Sequence, residues 1–221
     1  MRRIEAFFIE GPAGRIECLL KRPMAADGGT ARARGAAVIC HPHPLFGGTM
    51  HNKVVHAAAE ALVAAGLPVL RFNFRGVGGS GGRHDGGRGE QDDLLFLLDH
   101  LGGRFPGLPL LLAGYSFGAW VALRVGCGDA RAAALIGIGV PLTMLDFAFL
   151  RECRKPLAIV QGEVDPFAPA GLMLTFAALL PGGARVSVVK EAAHNFAGRL
   201  DALAARVGEA VPEDLKPGPP P

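Results

Sequence analysis

A mainly parallel, eight-stranded sheet covered by helices on both faces is the α/β architecture this sequence predicts, and three observations carry it. Strand-like and helix-like segments alternate along the chain, several strand-like segments are short unbroken apolar runs, and a hairpin precedes them. Unbroken apolar runs of about four to eight residues suit strands buried on both faces, as parallel sheets require. A hairpin followed by successive strand–helix units fits such a sheet. The 221 residues are 50% hydrophobic and 19% charged with a net charge of +3, enough for one sizeable core. A single domain over 1–211 and a Pro-rich flexible tail over 212–221 are expected.

The elements follow in order. Ile4–Glu10 and Arg15–Lys21 pair across Gly11-Pro12-Ala13-Gly14, a turn sequence between two strands. Residues 22–35 read as a loop, and Ala36–Cys40 as a buried strand. A helix over His51–Ala65 is ended by Gly66 and Pro68, and Val69–Phe74 is the next strand. Arg75–Gly89 holds eight glycines in fifteen residues and reads as irregular loop. Glu90–Leu101 reads as a helix whose acidic first turn suits the helix dipole. Strands at Leu108–Ala113 and Ala133–Val140 flank a helix at Phe117–Val125. The rest reads as strand Leu157–Gln161, helix Ala170–Leu180, strand Arg185–Val189 and helix Phe196–Ala210. Only Pro141–Pro156 joins the sixth and seventh strands, so no cap domain is expected.

Several function classes fall away on composition. Basic residues are scattered, and with one Trp and one Tyr no basic–aromatic patch marks a nucleic-acid surface. The longest apolar run, Ala132–Leu142, has eleven residues, too short for a membrane span. Glu5 and Glu10 break the apolar N-terminal stretch, so no secretory signal is read and a cytoplasmic location is expected. Cys18, Cys40, Cys127 and Cys153 form no CxxC pair and are read as thiols.

Reactive residues in such a sheet gather past the carboxyl ends of the strands. Gly114-Tyr115-Ser116-Phe117-Gly118 falls there, between a strand and a helix. G-x-S-x-G builds a strained turn that exposes the serine hydroxyl, and the glycines let strand and helix approach closely. A serine needs a base and the base needs an orienting group. His194, the only histidine after position 100, follows the last strand. Asp165 ends the preceding one, with Glu163 and Asp146 as competitors. The order Ser116, Asp165, His194 is that of an α/β-hydrolase.

Cys40-His41-Pro42-His43-Pro44-Leu45-Phe46-Gly47-Gly48 follows the third strand, where a backbone N–H for an oxyanion is expected beside that of Phe117. Pro42 and Pro44 have no N–H, which leaves His43, favoured, and Leu45. A metal site from His41, His43, His51 and His56 is disfavoured, since His51 and His56 lie about 140° apart on a helix. Gly76-Val77-Gly78-Gly79-Ser80-Gly81 matches a dinucleotide fingerprint, but further loop residues separate it from any helix N-terminus. His84-Asp85 reads either as a second acid–base pair or as solvated loop.

These residues resemble a known group. His41-Pro42-His43-Pro44, Gly47-Gly48-Thr49-Met50, Asn52-Lys53-Val54-Val55, Arg71-Phe72-Asn73-Phe74-Arg75-Gly76-Val77-Gly78, the serine turn and His194-Asn195-Phe196 are similar to small bacterial α/β-hydrolases of the carboxylesterase and dienelactone-hydrolase-like kind. The likeness spans residues 4–200 and treats the glycine loop as a superfamily hallmark rather than a nucleotide site. It implies Ser116 as nucleophile, His194 as base and Asp165 as acid, and it fixes no substrate; a small ester or thioester substrate, with no cofactor or metal, is expected. Phe167-Ala168-Pro169 departs from relatives that often have valine before the proline. Lactonases, amidases, acyltransferases and non-catalytic binding proteins share the apparatus or the fold.

Overall fold

The apolar runs become the centre of one sheet. The computed structural model describes residues 4–24, 29 and 33–216. Its strands are β1 (Ile4–Gly11), β2 (Gly14–Lys21), β3 (Ala36–Cys40), β4 (Val69–Phe72), β5 (Leu110–Tyr115), β6 (Ala132–Ile138), β7 (Leu157–Gly162) and β8 (Arg185–Val189). They lie in the order β1-β2-β4-β3-β5-β6-β7-β8. β1 and β2 pair antiparallel, and β2 joins β4 antiparallel. All other neighbours are parallel. Every residue of β3, β4, β5 and β7 is buried, which is why those segments are apolar without alternation, apart from the buried Arg71 and Gln161.

Alternate residues of each strand face opposite helix layers. Val38, Cys40 and Leu112 meet α2 (Arg88–Arg104) and α3 (Phe117–Gly128) through Leu94, Leu97, Leu98 and Val121. Ala37, Ile39 and Leu111 meet α1 (Lys53–Ala64) and α5 (Leu200–Ala210) through Val55, Leu62, Leu203 and Val207. The remaining helix, α4 (Ala170–Ala178), buries Met173 in the first of these clusters. Residues 139–156 between β6 and β7 contain one short 3-10 turn, Ala148–Arg151, and no cap domain.

Among the boundaries that differ from the sequence reading, four have a clear local cause. α1 starts at Lys53 because Asn52 caps it, its Oδ1 accepting the Val54 N–H at 2.9 Å. α2 starts at Arg88 because Glu90, at its third position, reaches back to accept the Gly87 N–H at 2.8 Å. α5 starts at Leu200, since Phe196 adopts φ 51° and residues 193–199 form turns instead. Leu215 is 1% exposed in a 3-10 turn over Glu213–Leu215, so the expected frayed stretch does not begin at Pro212. The remainder of that tail, 217–221, and residues 25–28 and 30–32 of the expected loop lie outside the described residues.

Candidate active site

Strand β5 runs straight into α3 with Ser116 as the hinge. A Cβ on Gly114 would sit 2.1 Å from the Gly118 carbonyl oxygen, and one on Gly118 would sit 2.4 Å from those of Cys40 and His41. Only glycine permits both approaches. Ser116 itself adopts φ 56°, ψ −119°, a strained conformation for a residue with a side chain. It is held there by its N–H, which donates to Ile138 O at 2.9 Å, and by its carbonyl, which accepts from Ala119 N at 2.9 Å.

The Ser116 hydroxyl meets His194, with Oγ 2.9 Å from Nε2, and His194 Nδ1 lies 2.7 Å from Asp165 Oδ2. The other partners of Asp165 are donors: Gln161 Nε2 reaches Oδ2 at 2.9 Å and Phe167 N reaches Oδ1 at 2.9 Å. Nδ1 of His194 therefore carries the hydrogen, and Nε2 is left to accept from the serine. Tyr115 Oη donates to His194 O at 3.0 Å, and Phe167 packs edge-on to the imidazole at 4.7 Å. Sequence reasoning missed Gln161, which also accepts the Val140 N–H at 2.9 Å and donates to Ala168 O. A polar residue closing an otherwise apolar buried strand was the available signal. The competitors lie elsewhere: Glu163 accepts the Glu191 N–H and Asp146 the Ala148 N–H.

The loop after β3 is clamped from below. His41 is fully buried; its Nδ1–H donates to Pro42 O at 2.7 Å and its Nε2 accepts the Phe74 N–H at 3.0 Å. Burial lowers its pKa to about 4, so the ring is neutral and both nitrogens are engaged. Asn73 Oδ1 accepts the Met50 N–H at 2.8 Å, while Arg71 Nη1 donates to Met50 O at 3.1 Å. His43 Nδ1 accepts the Leu45 N–H at 3.2 Å, which separates the two oxyanion candidates. Leu45 has spent its donor, whereas the N–H groups of His43 and Phe117 have no protein acceptor among the described residues.

The glycine loop is folded on itself. Gly76 N donates to Gly81 O at 2.9 Å, Ser80 Oγ to Asn73 O at 2.7 Å, and Gly79 N to Glu17 Oε2 at 2.8 Å. Its amides thus serve the protein rather than a pyrophosphate. Among the described residues no group of three or more His, Cys, Asp or Glu is arranged to hold a metal ion. Nor is any helix among them long and apolar enough to cross a membrane.

Ser116 and His194 open into a cavity of about 490 Å³ walled by Phe46, Pro141, Met144, Leu145 and Phe167. Slightly larger hollows elsewhere, of about 550 and 580 Å³, are lined by no serine, cysteine or histidine. The sheet order, the strained serine turn and the imidazole beside it define an α/β-hydrolase. The family model for an alpha/beta hydrolase domain matches residues 36–205, and the chain belongs to that family. It is 39% identical over 167 residues to an uncharacterised protein of Rickettsia prowazekii, covering 74% of this chain and 68% of that one. A structure of an alpha-beta serine hydrolase homologue from Coxiella burnetii superposes with a TM-score of 0.87 at 38% identity, over 94% of this chain and 97% of that one. A lidless serine hydrolase from Xanthomonas campestris gives 0.89 at 32% identity, over 100% and 98%.

Proposed function

We propose that this α/β-hydrolase cleaves small carboxylic esters through an acyl-enzyme on Ser116. The unbroken hydrogen-bond chain from Ser116 Oγ through His194 to Asp165, at 2.9 and 2.7 Å, carries the reading. Ser116 Oγ adds to the ester carbonyl as His194 Nε2 takes its proton, and Asp165 stabilises the imidazolium. The carbonyl oxygen becomes an oxyanion that accepts from the N–H groups of Phe117 and His43; one such donor contributes about 3 kcal/mol to the transition state. Collapse breaks the bond to the alkoxy oxygen, which leaves as the alcohol with the proton from His194. Water then adds to the acyl-enzyme with His194 again as base, releasing the acid and restoring Ser116. A fluorophosphonate should add one adduct mass at Ser116, and Ser116→Ala should lose both that label and turnover of p-nitrophenyl butyrate. Undiminished turnover in Ser116→Ala would sink the assignment.

A further inference from the structure

The glycine loop holds a second histidine–carboxylate pair, and its acid is not the neighbouring Asp85. His84 Nδ1 lies 2.8 Å from Oε1 of Glu90, a side chain with no solvent exposure, while the His84 side chain is 13% exposed. Glu90 also accepts the Asp85 N–H at 3.1 Å and the Gly87 N–H at 2.8 Å. All its contacts are with nitrogen, two of them certain donors, so the hydrogen of the third bond sits on His84 Nδ1. The imidazole is thereby fixed to the start of α2.

That ring packs against two residues, His43 at 4.7 Å and Phe117 at 5.5 Å between centroids. They are the two whose backbone N–H groups lack a protein acceptor among the described residues. Among the described residues His43 contacts three rings: Phe46, which is 85% exposed, Phe117, and His84. Phe117 links it through ring packing to the buried Phe74, and His84 links it through a hydrogen bond to the buried Glu90 carboxylate. We propose that His84, held by Glu90, is a positioning residue that fixes the His43 and Phe117 N–H donors for the oxyanion. This rests on the serine-hydrolase reading above. Burial and the proximity of His84 both lower the pKa of His43, which keeps its Nδ1 free to accept the Leu45 N–H and preserves the loop shape.

The test uses His84→Ala and His84→Phe, the second keeping a ring without the bond to Glu90, each checked for folding by circular dichroism. With p-nitrophenyl butyrate both should lose about tenfold in kcat with KM within about twofold, since donor placement acts on the transition state. An alkyl trifluoromethyl ketone, whose adduct with Ser116 places an oxyanion at the same donors, should bind about tenfold more weakly to both. A structural role alone would not move inhibitor affinity and kcat in step. Wild-type kcat in His84→Ala, full recovery in His84→Phe, or a loss confined to KM overturns the proposal. Turnover surviving Ser116→Ala overturns the reading beneath it instead, so the two failures are distinguishable.

Discussion

Asp165 is fully buried and satisfied by Gln161, Phe167 and His194. Asp165→Asn would keep the size of the side chain but offer an N–H where only an acceptor fits. The imidazole would then take the wrong tautomer, and kcat should fall by about 10⁴ with little change in KM; a loss under tenfold would contradict that role. His41 shows the same sensitivity in stability. Its pKa moves from 6.5 to about 4 on folding. Between those values the unfolded chain binds the extra proton, so stability is full above pH 6.5 and is lost as pH falls toward 4. The displacement corresponds to roughly 3 kcal/mol over the whole window. His43 and His100, also lowered by burial, tilt the curve the same way. The urea midpoint should therefore be lower at pH 5 than at pH 7, and His41→Asn should flatten the difference; equal wild-type midpoints would refute it.

At the scale of elements, the site depends on how closely α3 approaches β3 and β5. Gly118→Ala would put a methyl group 2.4 Å from two carbonyl oxygens at the end of β3. Such overpacking costs about 1–3 kcal/mol, and here it would also displace the Phe117 N–H, so both the urea midpoint and kcat should drop. Gly102→Ala in α2 meets nothing within 4 Å and should instead stabilise by about 0.5–1 kcal/mol. A Gly118→Ala variant as stable as wild type would show that α3 can shift freely. The central strands were legible because burial on both faces leaves a largely apolar run, and Ser116 and His194 because each follows a strand. The start of α2 was not, because its signal is a single glutamate reaching back to Gly87. Nor was the partner of His84, since a glycine loop has no periodicity to say which carboxylate its folding brings near.

For the molecule as a whole, the consequence is a site that no cap covers among the described residues. The 139–156 connection contributes wall residues but only one short 3-10 turn, Ala148–Arg151. The apolar rim stays in contact with water: Phe46 is 85% exposed and Met144 64%. A buried methylene contributes about 0.8 kcal/mol, but only while a wall removes it from water. The cavity of about 490 Å³ can therefore reward the first few carbons of an acyl chain, and the carbons beyond it return to solvent. Across p-nitrophenyl acetate, butyrate, hexanoate, decanoate and palmitate, kcat/KM should rise at first and stop rising by about hexanoate. Met144→Ala should remove much of the gain between acetate and hexanoate by raising KM, because Met144 belongs to the wall those carbons would meet. A value of kcat/KM that kept climbing to palmitate would require a cover over the site, and the fold described here has none among its described residues.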